Sequence, residues 1–197
     1  MDRTAPTDHP ILPAISKRWA PRSYLDTPVS EADLRTVLEA ARWTASAYNE
    51  QPWIYLVTRK AEEADAYAKL LACLVPFNQS WAASAPVLML ACARLNSAGN
   101  GKPNAWALYD TGQASSAMSI QAASMDLHIH QMAGFDAAAA REAFGIPEDV
   151  MPISAMVLGS HGPASALPEK LAEREVAPRS RKDAGEIFFG GSWGKGF

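Results

Sequence analysis

The sequence predicts an α/β or α+β sandwich, a sheet of short strands packed between helices. Three observations predict it. Four short segments, 53–58, 86–93, 127–132 and 153–159, read as strands, with helical periodicity between them. The 197 residues contain no repeat or low-complexity linker that would divide them, a length that suits one domain. The apolar fraction is 48% against 20% charged, enough for a substantial core and unlike a disordered chain.

Residues 1–13 hold three prolines and little pattern, so they read as an N-terminal arm before a single domain over 14–197. Ser30 is placed to cap a helix, with Asp33 three residues on. Leu34, Val37, Leu38 and Ala41 carry that helix to about Trp43. The stretch Thr44–Pro52 breaks the pattern, and Trp53–Thr58 reads as a buried strand. Ala61–Val75 predicts a second helix with Tyr67, Leu70, Leu71 and Leu74 on one face, ended by Pro76. Pro86–Ala93 is a continuous apolar strand of the kind buried on both faces.

Asn96–Asn104 is a loop in composition. Trp106–Met125 predicts a long helix rich in small residues, suited to close packing on the sheet or on a partner subunit. Leu127–Met132 is the next strand, and Asp136 caps a short helix closed by Gly145 and Pro147. Ile153–Gly159 is the fourth strand. The tail ends in Phe188-Phe189-Gly190-Gly191-Ser192-Trp193-Gly194, rich in large apolar groups without a long period. It is expected to pack across another surface, such as a second subunit.

A net charge of −3 argues against nucleic acid or an anionic membrane as the main partner, so any anion site must be a local basic cluster. Cys73 and Cys92 lie in apolar stretches without metal spacing and read as two buried thiols, with a disulfide as the alternative. The N-terminus has no apolar signal core, and the longest apolar runs fall short of the roughly 20 residues that span a bilayer. A soluble, cytoplasmic protein is expected.

There is no GxGxxG after a first strand, no GxxxxGK[ST], no HExxH and no GxSxG. His128 and His130 share one face of a strand, but no third metal ligand accompanies them, and hydrogen bonding near the core is the better reading. No catalytic side-chain constellation is present, so a cofactor is expected to carry the chemistry.

Three segments and the tail together resemble the nitroreductase family of FMN flavoproteins. Ile15-Ser16-Lys17-Arg18-Trp19-Ala20-Pro21-Arg22-Ser23-Tyr24 is similar to the family's N-terminal R-x-S-x-R-x-[FY] signature. Ser46-Ala47-Tyr48-Asn49-Glu50-Gln51-Pro52-Trp53 is similar to its S-S-x-N-x-Q-P-W turn. His130-Gln131-Met132-Ala133-Gly134-Phe135-Asp136, ahead of Phe144-Gly145-Ile146-Pro147, resembles its G-F-D…[FL]-G-[IL]-P stretch, and Arg179-Ser180-Arg181-Lys182 its closing basic motif. The resemblance runs in order over about 14–194. It implies a mostly antiparallel central sheet flanked by helices, and a homodimer with the tail exchanged across it.

The resemblance also implies the cofactor-binding residues. Lys17, Arg18, Trp19 and Ala20 come from the first segment, Asn49 and Gln51 from the second. Gln131, Met132, Ala133 and Gly134 come from the third, and Arg179 and Arg181 from the tail. A phosphate dianion suits the guanidinium forks of Arg18 and Arg181, with Arg179 or Lys17 assisting. The Asn49 amide suits the pyrimidine edge of the flavin, or else simply serves its turn. Gln51 fits a structural or a ligand-facing role equally, while Trp53 reads as core. Gly134 lets backbone approach the flavin, with the Ala133 and Gly134 amides as donors, or else it makes a strand-to-helix turn.

Ala20 stands where many members carry a serine, leaving Ser16 or Ser23 to replace its bond, and Ala133 stands where some carry glutamate. The implied activity is hydride transfer from NAD(P)H to a nitroaromatic or quinone by a ping-pong cycle, without an obligatory side-chain acid or base. The alternatives are a flavin enzyme acting on a specific metabolite, by dehydrogenation or reductive dehalogenation, and a non-catalytic flavin-binding protein. Segments around Phe77–Trp81 and Asn96–Trp106 are the expected lids.

Overall fold

The computed structural model describes residues 3–197, so Met1 and Asp2 of the expected arm lie outside the described residues. Its centre is an antiparallel sheet of β1 (Trp53–Arg59), β2 (Val87–Arg94), β3 (His128–Met132) and β4 (Val150–Gly159), in the order β1-β2-β4-β3. The central position of β2 explains its unbroken apolar run. Leu88, Leu90 and Cys92 face one core, while Val87, Met89 and Ala91 face the other.

Helices cover both faces. On one side α3 (Ala64–Ala72), α4 (Pro76–Ala82), α6 (Ala137–Phe144) and α7 (Glu169–Val176) bury Tyr67, Leu70, Trp81, Ala140 and Leu171. On the other, α2 (Glu31–Arg42) and α5 (Ala107–Ser124) bury Leu34, Val37, Ala114, Met118 and Ala122. The short α1 (Pro13–Lys17) lies beside α5.

The caps follow the sequence. Ser30 Oγ accepts the Asp33 N–H at 3.0 Å, and Asp136 accepts from Ala138 and Ala139, each at 2.9 Å. Gly145 ends α6 at φ 61°, the left-handed conformation glycine adopts without strain.

Several expectations need correction. Pro76 opens a helix as well as closing the turn before it, because its missing N–H costs nothing at the first helical position. The expected 61–75 helix is therefore shorter and is followed by α4. In the segment expected as a lid, Asn78 and Trp81 of α4 are buried, while Phe77 and Ser80 are exposed. β4 starts at Val150 rather than Ile153. Its ladder slips one residue at Ile153, next to Pro152, which has no N–H to donate.

Pro13 belongs to α1, and the arm is fastened down. The Arg3 guanidinium donates to the Val176 and Ala177 carbonyls at 3.0 and 2.7 Å. Cys73 and Cys92 are both buried and free, so the disulfide alternative falls. The tail closes on itself through Gly190 N–H to the Lys195 carbonyl and Phe197 N–H to the Phe188 carbonyl, each at 2.9 Å. Phe188, Trp193 and Phe197 stay exposed instead of packing on the body of the chain. Among the described residues no helix is long and apolar enough to cross a membrane.

Tyr67 ties α3 to the end of α4. Its buried hydroxyl donates to the Ala85 carbonyl at 2.7 Å and lies 3.2 Å from that of Ala82. Tyr67→Phe keeps the ring and strands those acceptors, so it should cost about 1 kcal/mol, read as a lower urea midpoint with an unchanged slope. An unchanged midpoint would show that this bond does not hold the layer.

Candidate functional site

Folding brings the N-terminal and C-terminal arginines together. The Arg18 guanidinium is half-buried, and its pKa is lowered first by burial and then by the charge of Arg181. Arg179 is lowered by burial, then by Arg18, Arg181 and Arg3. Among the described residues no acid pairs with any of the four. Like charges held together without an acid partner, on half-buried guanidinium forks, are an arrangement that an anion would neutralise.

The four do different work. Arg179 donates to the carbonyls of Arg3, Ser16 and Arg18 at 2.5, 2.8 and 2.8 Å. It therefore clamps the segment that carries Arg18, a structural task the sequence did not reveal. Arg3 is committed to the reciprocal clamp and lies over the Trp19 ring, 5.0 Å from its centroid. A buried carboxylate completes the fastening, as Glu175 accepts the Arg22 N–H at 2.8 Å and the Ser23 N–H at 3.1 Å. That leaves Arg18, which makes no side-chain hydrogen bond among the described residues, and Arg181, which donates only to the Ser180 carbonyl. Lys17 is exposed beside them and shares with Trp19 and His128 the lining of a pocket of about 190 Å³.

Trp19 is buried, its ring edge-on to His128 at 5.9 Å and His161 at 5.0 Å. Neither replacement expected for the serine absent at Ala20 is free. Ser16 Oγ donates to the Pro13 carbonyl and Ser23 Oγ, buried, to that of Pro163.

From this cluster β3 leads toward the other group of expected ligands. His128 to Met132 spans four steps, about 13 Å of extended chain. Met132 is buried in the core, Gln131 is exposed with its Nε2 3.4 Å from Ser119 Oγ, and Ala133 is exposed. Gly134 has a structural reason to lack a side chain, since a Cβ would stand 2.6 Å from Asn78 Nδ2 and 2.9 Å from a Val75 methyl. Its carbonyl accepts from both Val75 N–H and Asn78 Nδ2.

The Asn49 turn lies elsewhere in the same chain. α5 crosses the sheet diagonally: Asp110 accepts the Ala47 N–H, Ser115 meets Tyr55 of β1, and Ser119 meets Gln131 of β3. Ala123, near its end, lines the pocket of Lys17 and Trp19. Asp110 and Ala123 are separated by about 20 Å of helix. A single chain thus gathers the arginines and the end of β3 on one edge and leaves Asn49 and Gln51, both exposed, at the opposite edge.

His128 and His130 share a face as expected but meet different neighbours, and among the described residues no His/Cys/Asp/Glu cluster could hold a metal. His130 packs on Trp81 at 4.6 Å, with Nδ1 2.8 Å from the Pro21 carbonyl. Burial, the largest cause in each case, lowers both imidazoles from 6.5 to about 4. Both are neutral in the fold, whereas in the unfolded chain they protonate near 6.5. Their packing therefore contributes stability that is intact above about pH 6.5 and lost as pH falls toward about 4. The urea midpoint should fall across that window, and His130→Gln should flatten the fall. Equal slopes in the two proteins would contradict this assignment.

Comparison with known proteins bears on the fold and the family. An uncharacterized 15.4 kDa protein from the ask 5′ region of Mycolicibacterium smegmatis is 35% identical over 134 residues, 68% of this chain and 89% of that protein. An NADH dehydrogenase of Thermus thermophilus is 37% identical over 92 residues, 45% of this chain and 42% of its own length. A crystal structure described as an oxidoreductase containing FMN superposes with a TM-score of 0.90 at 31% identity, over 96% of each chain. With the family model described as Nitroreductase family matching residues 15–160, the chain belongs to the nitroreductase family.

Proposed function

We propose that this chain is an FMN-dependent oxidoreductase that passes hydride from NAD(P)H to a small oxidised acceptor, a nitroaromatic or quinone, by a ping-pong cycle. The observation that carries the reading is the pair Arg18 and Arg181, drawn together without an acid among the described residues. Two such forks match the geometry and charge of a phosphate dianion.

The other residues fit the rest of the cofactor. The end of β3, at Gln131–Gly134, continues the same edge by the length of a short strand. Arg179 and Glu175 hold the backbone of residues 16–23, so that Arg18 is presented without rearrangement. FMN bound there supplies hydride transfer between a nicotinamide and the acceptor. The chain supplies position and hydrogen bonds and needs no side-chain acid or base.

Asn49 completes the site from a second copy of the chain. Its turn is exposed and lies far along α5 from the arginines, so a homodimer accounts for both groups serving one ligand. The outer face of α5, with exposed Leu108, Tyr109 and Gly112, and the exposed Ile11, Leu12 and Ile15 provide apolar surface for such a contact.

Purified protein should be yellow or gain flavin bands on adding FMN, and should bleach with NAD(P)H; a colourless protein that takes up no FMN would refute the proposal. Arg18→Ala and Arg181→Ala should each weaken FMN binding about tenfold to a hundredfold, the range for a lost bond to a charged group. Initial rates at several NAD(P)H and acceptor concentrations should give parallel double-reciprocal lines, and intersecting lines would exclude the ping-pong order. Light scattering at micromolar concentration should give the mass of two chains, and a mass of one chain would remove the shared site.

A further inference from the structure

The turn that carries Asn49 is strained. Tyr48, Asn49 and Gln51 have φ of 53°, 56° and 47°, the left-handed region, and none is glycine. Such residues cost about 1 kcal/mol or more each unless their surroundings hold them. Burial does not hold them here, since Tyr48 is 98% exposed and Asn49 and Gln51 are exposed.

Hydrogen bonds do. The Gln51 N–H donates to Ser46 Oγ and its side chain to the Asn49 carbonyl, both at 3.0 Å. The Glu50 carboxylate accepts the Ala98 N–H at 3.0 Å and the Ser97 hydroxyl, tying the turn to the loop that follows β2. The remaining support comes from α5. Asp110 is 2% exposed, and its Oδ2 accepts the Ala47 N–H at 3.0 Å. Gln113 Nε2 lies 3.4 Å from the other oxygen, and among the described residues no cation pairs with this carboxylate.

Burying an acid is costly, and its shortest bond goes to Ala47, the residue just before the left-handed ones. The exposed Asn49 side-chain amide makes no hydrogen bond among the described residues. We infer that Asp110 is a positioning residue, fixing the strained 46–51 turn so that Asn49 is preset for FMN. This rests on the reading of Asn49 as an FMN ligand.

The test is FMN titration, followed by flavin fluorescence, of the wild type, Asn49→Ala, Asp110→Ala, Asp110→Asn and the Asn49→Ala/Asp110→Ala double variant. Asp110→Ala should weaken binding about tenfold, the effect of losing one bond to a charged group. Asp110→Asn keeps an acceptor for the Ala47 N–H and should bind within about threefold of wild type. The double variant should bind no more weakly than Asn49→Ala, because Asp110 acts through Asn49.

A flavin-independent readout accompanies these. Chymotrypsin should cut after Tyr48 faster in flavin-free Asp110→Ala than in flavin-free wild type. Wild-type affinity in Asp110→Ala, losses that multiply in the double variant, no rescue by Asp110→Asn, or unchanged cleavage would overturn the inference while leaving Asn49 in place. Unchanged affinity in Asn49→Ala would instead remove the ligand role of Asn49, and the inference with it.

Discussion

Two guanidinium groups held side by side without a counter-charge are a constraint the rest of this molecule must satisfy. At the effective dielectric of a partly buried site the repulsion of such a pair is appreciable, and nothing in the side chains themselves would keep them close. What keeps them close is backbone. Arg179 grips the carbonyls of residues 3, 16 and 18, Arg3 grips those of 176 and 177, and Glu175 takes the N–H groups of 22 and 23. Each bond joins the beginning of the chain to its end across roughly the whole sequence. Segments that look like loose arms are therefore locked to one another, and the locking leaves a concentrated positive charge for an anion to neutralise.

The sheet and α5 set where the other parts can be. Small residues along the buried side of α5 let it lie close to the strands, and its run from the β1 edge to the β3 edge fixes how far the Asn49 turn stands from the arginines. The same helix leaves Leu108, Tyr109 and Gly112 uncovered. One element thus separates the two halves of the proposed site within a chain and offers the surface on which a second chain could reunite them.

Much of this was legible from the letters. Continuous apolar runs mark central strands, Ser30 and Asp136 announce their helices, and Arg18 and Arg181, from two of the four segments, do lie near one another. Pro76 reads as a stop in the letters, but proline both ends one helix and begins the next, and only the chain's path decides between them. Pro152 hid the start of β4 for a related reason, since a bulge beside it absorbs the missing donor. The clamp made by Arg179 is invisible in the letters because its partners are carbonyls, which every residue carries and no sequence pattern marks. Asp110 is one polar residue in a helix of small ones, and its only signal in the letters is that of a lone acid on a buried helix face.

Charge and strain divide the work of holding a ligand. Attraction between guanidinium and phosphate falls slowly with distance and tolerates small errors of angle, so Arg18 can bind well without a unique rotamer. An amide that must match the donor and acceptor pattern of a ring edge has no such tolerance, because a misaligned hydrogen bond weakens steeply. It follows that the costly conformations belong at the amide and not at the arginines. On the proposed role of Asn49, the three left-handed residues of the 46–51 turn and the buried carboxylate behind them stand where direction, rather than charge, has to be fixed in advance.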